Sequence, residues 1–516
     1  MDGPILVIDR HDTAPIGAQL VDGLRRGILT GRLRAGDPMP STRSLAAELG
    51  VARSSVVQAY EQLAGEGYLE TRQGAPTRVA ELERGIEPVT DAPAPRPLAV
   101  SRRAVGGGAA ASRAVPLPDS PGFPGAPGAP AIDLTPGIPS MGRLDERAWR
   151  AAWRAAAASI VPAISPPPLG VRELREQVAD HLRFARGVAC SADDIVVTAG
   201  TSEALALIAV ALGDGGDGGH GGRRPRVAVE DPGYPSARRT LRRHGADTTP
   251  VAVGPDGIDV DALARVSGGI DAVMVTPSHQ YPLGGRLPVA DRLGLLEQAA
   301  ARDALVIEDD YDSEFRHTGA PLPALASLDR DGRVVLVGSF SKVLTPWLRL
   351  GYLVLPSGPA GRALRERITA IRDDEHSPVP GIAQLAMAHL LASGALRRHI
   401  AATRREYAHR RRLVLDVLGP LDDGAPLDDA GRGVRLTALD GGLHAVLQLP
   451  DAAIADAVVA RLAGEGIVVA PLSAYVVEGG IGPSGIVIGY AGAADTALAA
   501  ALTRIRAGVE RLCREP

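Results

Sequence analysis

The chain has 516 residues, 45% hydrophobic and 22% charged, with a formal net charge of −4. That is the composition of an ordinary globular protein of about two to four domains. Its longest unbroken apolar run, Ala204–Leu212, is nine residues, far short of the roughly 20 that span a bilayer, and no basic-then-apolar signal pattern opens it. Two cysteines far apart, Cys190 and Cys513, exclude a disulfide framework and a cysteine zinc site, and a reducing cytoplasm is expected.

Residues 1–80 predict short helices followed by a hairpin. Ile16, Leu20, Leu24 and Ile28 recur every four residues and mark one helix face. Ser41 stands where an N-cap belongs, and Leu45 and Leu49 line the next helix. Gly50 and Val51 make a turn. Val56, Tyr60 and Leu63 give the stripe of a third helix, which begins Arg53-Ser54-Ser55. Tyr68–Arg72 alternates as a strand, Gln73-Gly74-Ala75 turns, and Pro76–Val79 returns. Three helices and a hairpin make a winged helix-turn-helix. Arg53, Ser54 and Ser55 then lie at the helix end that enters a major groove. Arg43 opens the second helix, and Arg72 and Gly74 belong to the wing turn. The segment carries 9 Arg against 9 Asp and Glu, so the case for double-stranded DNA rests on placement and not on bulk charge.

Residues 81–131 are expected to be a linker. Positions 85–131 hold 10 Pro, 7 Gly and 11 Ala, too little apolar periodicity for a core. Further on, Gly213–Gly222 is low in complexity and predicts a surface loop.

Residues 132–516 alternate apolar strand runs with helical patterns, the α/β signature. Five runs end in polar residues. Ile195–Val197 leads into Thr198-Ala199-Gly200-Thr201-Ser202, and Val227–Val229 into Glu230-Asp231-Pro232-Gly233-Tyr234. Val273–Val275 precedes Thr276-Pro277-Ser278-His279-Gln280-Tyr281. Leu305–Ile307 precedes Glu308-Asp309-Asp310-Tyr311, and Val334–Val337 precedes Gly338-Ser339-Phe340-Ser341-Lys342. Ligands of open α/β sheets bind beyond the carboxyl ends of strands, so these ends predict one site. Of 56 basic residues, 55 are arginine and one is lysine, Lys342. Arginine cannot shed its proton to attack a carbonyl, so the single lysine marks a candidate for chemistry. An aspartate facing a ring nitrogen, a lysine for a Schiff base, stacking tyrosines and a Gly-Thr-Ser helix start for a phosphate are what pyridoxal 5'-phosphate requires. No metal-ligand set accompanies them.

Two family resemblances fit these motifs. Pro15–Gly74 resembles the GntR-type winged helix-turn-helix, except that its wing turns through Gly74-Ala75-Pro76-Thr77. From about Asp133 to Gly492, the blocks Glu-Asp-Pro-Gly-Tyr, Thr-Pro-Ser-His-Gln-Tyr-Pro, Glu-Asp-Asp-Tyr-Asp-Ser-Glu-Phe and Ser-Phe-Ser-Lys resemble fold type I, class I aminotransferases. More narrowly, they resemble the aminotransferase-like domain of MocR/GabR regulators. That resemblance implies that Lys342 carries the cofactor, Asp309 pairs with its pyridine nitrogen and Tyr311 with its phenolate oxygen. It implies that Tyr234 stacks on the ring and that Gly200, Thr201, Ser202, Ser339 and Ser341 surround the phosphate. Arg349 matches an arginine near the cofactor and is taken as an effector ligand. Tyr281-Pro282 stands where the enzymes often carry Asn-Pro. Gly485–Tyr490 contains no late arginine for a substrate carboxylate, and Arg432, Arg435 and Arg461 read as surface residues. The expected function is therefore an operator-binding transcription regulator, a head-to-tail homodimer whose effector is pyridoxal phosphate, an amino acid or an amine. The alternative is a working aminotransferase with an accessory DNA-binding domain.

Overall fold

The computed structural model describes Ile8 and residues 16–29, 33–65, 68–70, 77–80, 132–213, 223–318, 323–422, 433–477, 479–480 and 482–513. The expected linker, Arg72, Gly74, Arg432 and nearly all of the glycine-rich loop lie outside the described residues.

The N-terminal unit contains α1 (Ile16–Leu29), α2 (Thr42–Leu49) and α3 (Arg53–Gly65). Strand β1 (Leu69–Glu70) pairs antiparallel with β2 (Arg78–Val79). Ser41 caps α2, its hydroxyl accepting from the Ser44 amide at 3.1 Å. The stripes read from the sequence meet in one core of Leu20, Leu24, Ile28, Leu45, Val56, Tyr60 and Leu63, completed by Tyr68 and Val79. Ile16, in the first turn of α1, is 38% exposed and stays out of it. Val289 joins this core and Leu293 packs on it, both from the helix Val289–Ala301 of the large domain. The reader unit thus rests its apolar face on the α/β body.

The body is built on an eight-stranded sheet. Its order is Ile195–Thr198, Gly351–Val354, Val334–Ser339, Leu305–Asp310, Ala272–Val275, Arg226–Asp231, Asp247–Gly254 and Gly257–Ile258. The four strands from Val334–Ser339 through Arg226–Asp231 are mutually parallel, and Asp247–Gly254 continues them. Both sheet faces are covered by apolar clusters, which is why these strands read as continuous hydrophobic runs. Strand Gly351–Val354 runs antiparallel between two neighbours, a placement that its sequence did not signal. Several strands run beyond their apolar stretch into the acidic residues. Glu308 is fully buried there because the amides of Leu325 (2.7 Å) and Ala326 (2.9 Å) satisfy its carboxylate.

A smaller domain has the four-stranded antiparallel sheet Arg435–Thr437, His444–Gln448, Gly485–Gly489 and Ala470–Pro471. Helices Ala395–Leu418, Ala452–Gly464 and Asp495–Leu512 pack together beside it. Ile132–Asp133 pairs with Ile467–Val468, and the chain then crosses Thr135-Pro136-Gly137 towards the carboxyl ends of the large sheet.

Candidate cofactor site and nucleic-acid interface

Five strand ends bring the expected residues together. Lys342 follows Val334–Ser339, and its Nζ donates to the carbonyl of Gly137 at 2.7 Å. Gly137 sits at φ +86°, and a Cβ there would lie 2.4 Å from Nζ. Only glycine lets the crossing segment approach the amine so closely. Burial pushes the Lys342 amine below its ordinary range, opposed by the carboxylates of Asp312 and Asp309. A lysine so biased spends more of its time as the neutral nucleophile.

Asp309 is the last residue but one of the neighbouring strand Leu305–Asp310, 5% exposed. Burial first, then Asp310, Asp312 and Glu230, raise its carboxyl to about 7, and Lys342 opposes the rise. Its Oδ1 is buried without a hydrogen-bond partner among the described residues. A protonated ring nitrogen is the partner that such an acceptor lacks. Tyr234 precedes the helix Pro235–Arg243, its ring set edge-on to that of Tyr281 at 6.0 Å.

At the other end of the site, Thr201 and Ser202 open the helix Thr201–Leu212. The Arg349 guanidinium lies 3.9 Å from where a Gly200 Cβ would be. A helix N-terminus beside an arginine is a ready phosphate cradle. Ser339 and Ser341 close the same corner, the Ser341 amide donating to the Ser339 hydroxyl at 3.1 Å. Arg349, read from the sequence as an effector ligand, lies beside Gly200 at the start of this helix. The residues present fit pyridoxal phosphate at both ends, phosphate and ring nitrogen.

Several buried polar residues around Tyr311 had no role read from the sequence. Tyr311 donates to the His279 carbonyl at 3.0 Å, and its hydroxyl also lies 2.9 Å from His279 Nδ1. The same Nδ1 is 2.9 Å from Asp312 Oδ2. Glu230 accepts from the Thr276 hydroxyl at 2.6 Å and from Gln280 Nε2 at 3.2 Å. Burial still lifts its carboxyl to about 7. The available signal was polarity at the end of an apolar strand. Tyr475, whose hydroxyl accepts from that of Tyr281 at 3.2 Å, comes from a distant segment and gave none. His279, Asp312 and His444 each offer one ligand atom within 4.8 Å of one another. Asp312 and His279 are already committed to each other, and His444 Nε2 to the Pro282 carbonyl at 2.8 Å.

Gly485–Gly489, where a late arginine was sought, is a buried strand. Val487 joins Val446, Leu472 and Tyr475 in an apolar cluster against which Tyr281 and Leu283 pack. Arg461 is paired with Glu465 at 3.1 Å, and Arg435 lies on the edge strand of the small sheet.

On the reader unit, α3 starts at Arg53 as expected, with Arg53 and Ser54 exposed and Ser55 half-buried. Arg43 is exposed on the first turn of α2. The free first turns of both helices face outward, the placement a recognition helix needs. No helix among the described residues is long and apolar enough to cross a membrane.

The profile "Bacterial regulatory proteins, gntR family" matches residues 16–79, and "Aminotransferase class I and II" matches residues 130–505. The HTH-type pyridoxine biosynthesis transcriptional regulator PdxR of Corynebacterium glutamicum is 40% identical over 94% of both chains. The probable rhizopine catabolism regulatory protein MocR of Rhizobium meliloti is 33% identical over 95% of this chain and 92% of that one. Among solved structures, the α-aminoadipate aminotransferase LysN of Thermus thermophilus, complexed with N-(5'-phosphopyridoxyl)-L-leucine, superposes with a TM-score of 0.63 at 25% identity. That match covers 74% of this chain and 92% of that one. The chain belongs to the MocR-type transcriptional regulators, in which a GntR-type winged helix-turn-helix is joined to a fold type I aminotransferase domain whose cofactor is pyridoxal phosphate.

Proposed function

We propose that this regulator senses pyridoxal phosphate itself and adjusts transcription of vitamin B6 or amine metabolism. The observation that carries the reading is the pairing of a full cofactor set with an apolar wall at Val487. Lys342 would hold the cofactor, Asp309 its ring nitrogen, Tyr311 its ring oxygen and Tyr234 its face. Gly200, Thr201, Ser202, Ser339, Ser341 and Arg349 would hold its phosphate. With Arg349 so employed, no second anchor for an amino acid is assigned. The bound cofactor supplies an electron sink, and the protein supplies its place and charge. Holding a substrate carbon over Lys342 demands more, because a misplacement of about 1 Å can cost 10²-fold in rate. The name of the PdxR relative, tied to pyridoxine biosynthesis, supports the effector assignment.

In this reading residues 1–80 read operator DNA, 81–131 link, and 132–516 sense, and the chain acts in the cytoplasm. The protein is a head-to-tail homodimer. Ile160, Val161 and Ile164, within one short segment, are 93%, 87% and 82% exposed, and Trp347 is 91% exposed; exposed apolar surface of this kind favours burial against another copy. Exchange of reader domains between copies preserves the contact of the reader core with Val289 and Leu293.

Operator fragments selected from genomic DNA provide the test. Affinity is expected to change when pyridoxal phosphate alone is added to apo-protein, since a ligand shifts two states only by its differential affinity for them. Equal affinity with and without cofactor, followed by a shift on adding one amino acid to the loaded form, would make the amino acid the signal. Multiple-turnover transamination would favour the enzyme.

Arg53→Ala tests the DNA interface. If the guanidinium reads a guanine edge, the expected loss is on the order of 1–3 kcal/mol at one base position. Contact with phosphate alone would weaken all sequences equally and make the salt slope shallower by about one. Unchanged affinity would move the recognition surface elsewhere.

A further inference from the structure

His279 and Asp312 lie beside the cofactor set and outside it. Their side chains are 5% and 2% exposed. His279 Nδ1 faces two groups at once, Asp312 Oδ2 and the Tyr311 hydroxyl, each at 2.9 Å. A ring nitrogen can either donate or accept there, and the neighbours decide which. An ionised Asp312 offers only lone pairs, so it requires the proton on Nδ1. With that proton present, Nδ1 cannot accept from Tyr311. The Tyr311 proton must then go elsewhere: the His279 carbonyl accepts it at 3.0 Å, and the Asp312 carboxylate is within hydrogen-bonding reach as well. His279 Nε2, buried and without a hydrogen-bond partner, fits the neutral tautomer. A bare ring nitrogen there costs less than a stranded N–H and its charge.

We propose that Asp312 and His279 form a tautomer lock that keeps the Tyr311 hydroxyl available as a donor to the ring oxygen of the cofactor. Both act as positioning residues, because neither is assigned a contact with the cofactor. The small domain closes the lock. Gly442 lies so near that a Cβ on it would stand 2.3 Å from Asp312 Oδ2 and 2.9 Å from His279 Nδ1. A turn of the small domain therefore packs closely on the pair, with no room for a side chain at Gly442. The other titratable groups facing the lock are His444, ring centroids 5.3 Å from His279, and Tyr281, 5.4 Å from Tyr311, with Asp309 close to Tyr311, Lys342, Asp310 and Tyr490 close to Asp312, and His317 close to His279. His444 is held neutral by burial, which lowers it to about 4.

The lock rests on the assignment of Tyr311 to the ring oxygen, so its test separates the two. Full-length protein is loaded with pyridoxal phosphate, and the apparent pKa of its visible band is measured by absorbance. Thermal melts of the loaded protein accompany each titration. Tyr311→Phe removes a donor to the charged ring oxygen and is expected to raise that pKa by about one unit. Asp312→Asn is expected to raise it too, because an amide lets Nδ1 accept and capture the Tyr311 proton. The direct charge effect of Asp312 has the opposite sign, since its carboxylate favours the protonated amine side. In the Tyr311→Phe background, Asp312→Asn should therefore move the pKa downward or not at all. His279→Gln serves as the second variant, with the same upward direction expected. If Tyr311→Phe leaves the band unmoved, the cofactor assignment falls and the lock with it. If Tyr311→Phe raises the pKa while Asp312→Asn and His279→Gln only lower the melting temperature, the assignment stands and the lock is overturned. Additive upward shifts in the double variant overturn it equally.

Discussion

Lys342→Ala protein is expected to lose covalent cofactor attachment completely. One lysine among 516 residues makes this test unusually sharp. Apart from the α-amino group, no other amine in the chain can join an aldehyde, and arginine stays protonated at any working pH. The surroundings favour the reaction at this residue. Burial biases the amine towards its neutral form, and the Gly137 carbonyl holds Nζ from the other side. The phosphate corner at Gly200–Ser202 and Arg349 is intact in the variant, so weak non-covalent binding should survive. Borohydride treatment of loaded wild type followed by peptide mass analysis should label the side chain of Lys342 alone. Cofactor fixed to Lys342→Ala by borohydride, or a label on any other side chain of the wild type, would sink the assignment. Lys342→Arg should behave like Lys342→Ala.

Much of this site was legible because its chemistry sits at strand ends. Apolar runs such as Val334–Val337 announce buried strands, and the polar residues that follow must lie at the carboxyl edge of the sheet. The helix start behind Gly200 followed from Gly-Thr-Ser before a helical pattern, and the reader unit from stripes at helical spacing. What escaped notice was set by distance along the chain. Tyr475 meets Tyr281 across 194 residues, and Gly137 meets Lys342 across 205. No local pattern encodes such pairs. The position of Arg349 also needed coordinates, because its spacing from Lys342 does not by itself place it beside Gly200. Arg349 sits in the left-handed region, φ +47°, with its guanidinium beside Gly200. Strand Gly351–Val354 looks like its parallel neighbours in sequence, since both kinds are buried on two faces. Only the register shows that it runs the other way.

Apo-protein carrying Asp309→Asn is expected to be more stable than apo wild type, by a margin that widens as pH rises from about 4 to about 7. Asp309 is lifted from its ordinary 3.8 to about 7 chiefly by burial. Between those two values the unfolded chain has released the proton and the folded chain has kept it. Stability then falls with rising pH, and the full penalty is present above the folded value. A lift of this size corresponds to an effect of about 4 kcal/mol at pH 8. The difference between variant and wild type is the right observable, because other buried groups titrate too. His317 and His444 are pushed from 6.5 to about 4 by burial, so they add stability as pH rises over that interval. Their contribution is common to both proteins and cancels in the comparison. Glu230, also near 7, is one of the charges that lifts Asp309. Removing the Asp309 charge should therefore ease the ionisation of Glu230 as well. Cofactor should invert the ranking. A protonated ring nitrogen set against Asp309 cancels the penalty in wild type, and the asparagine variant forfeits that ion pair. Melting curves at pH 5, 6, 7 and 8, with and without pyridoxal phosphate, measure both halves. A pH-independent gap between the apo-proteins would place the raised carboxyl elsewhere. Equal stabilisation of both proteins by cofactor would remove Asp309 from the ring nitrogen.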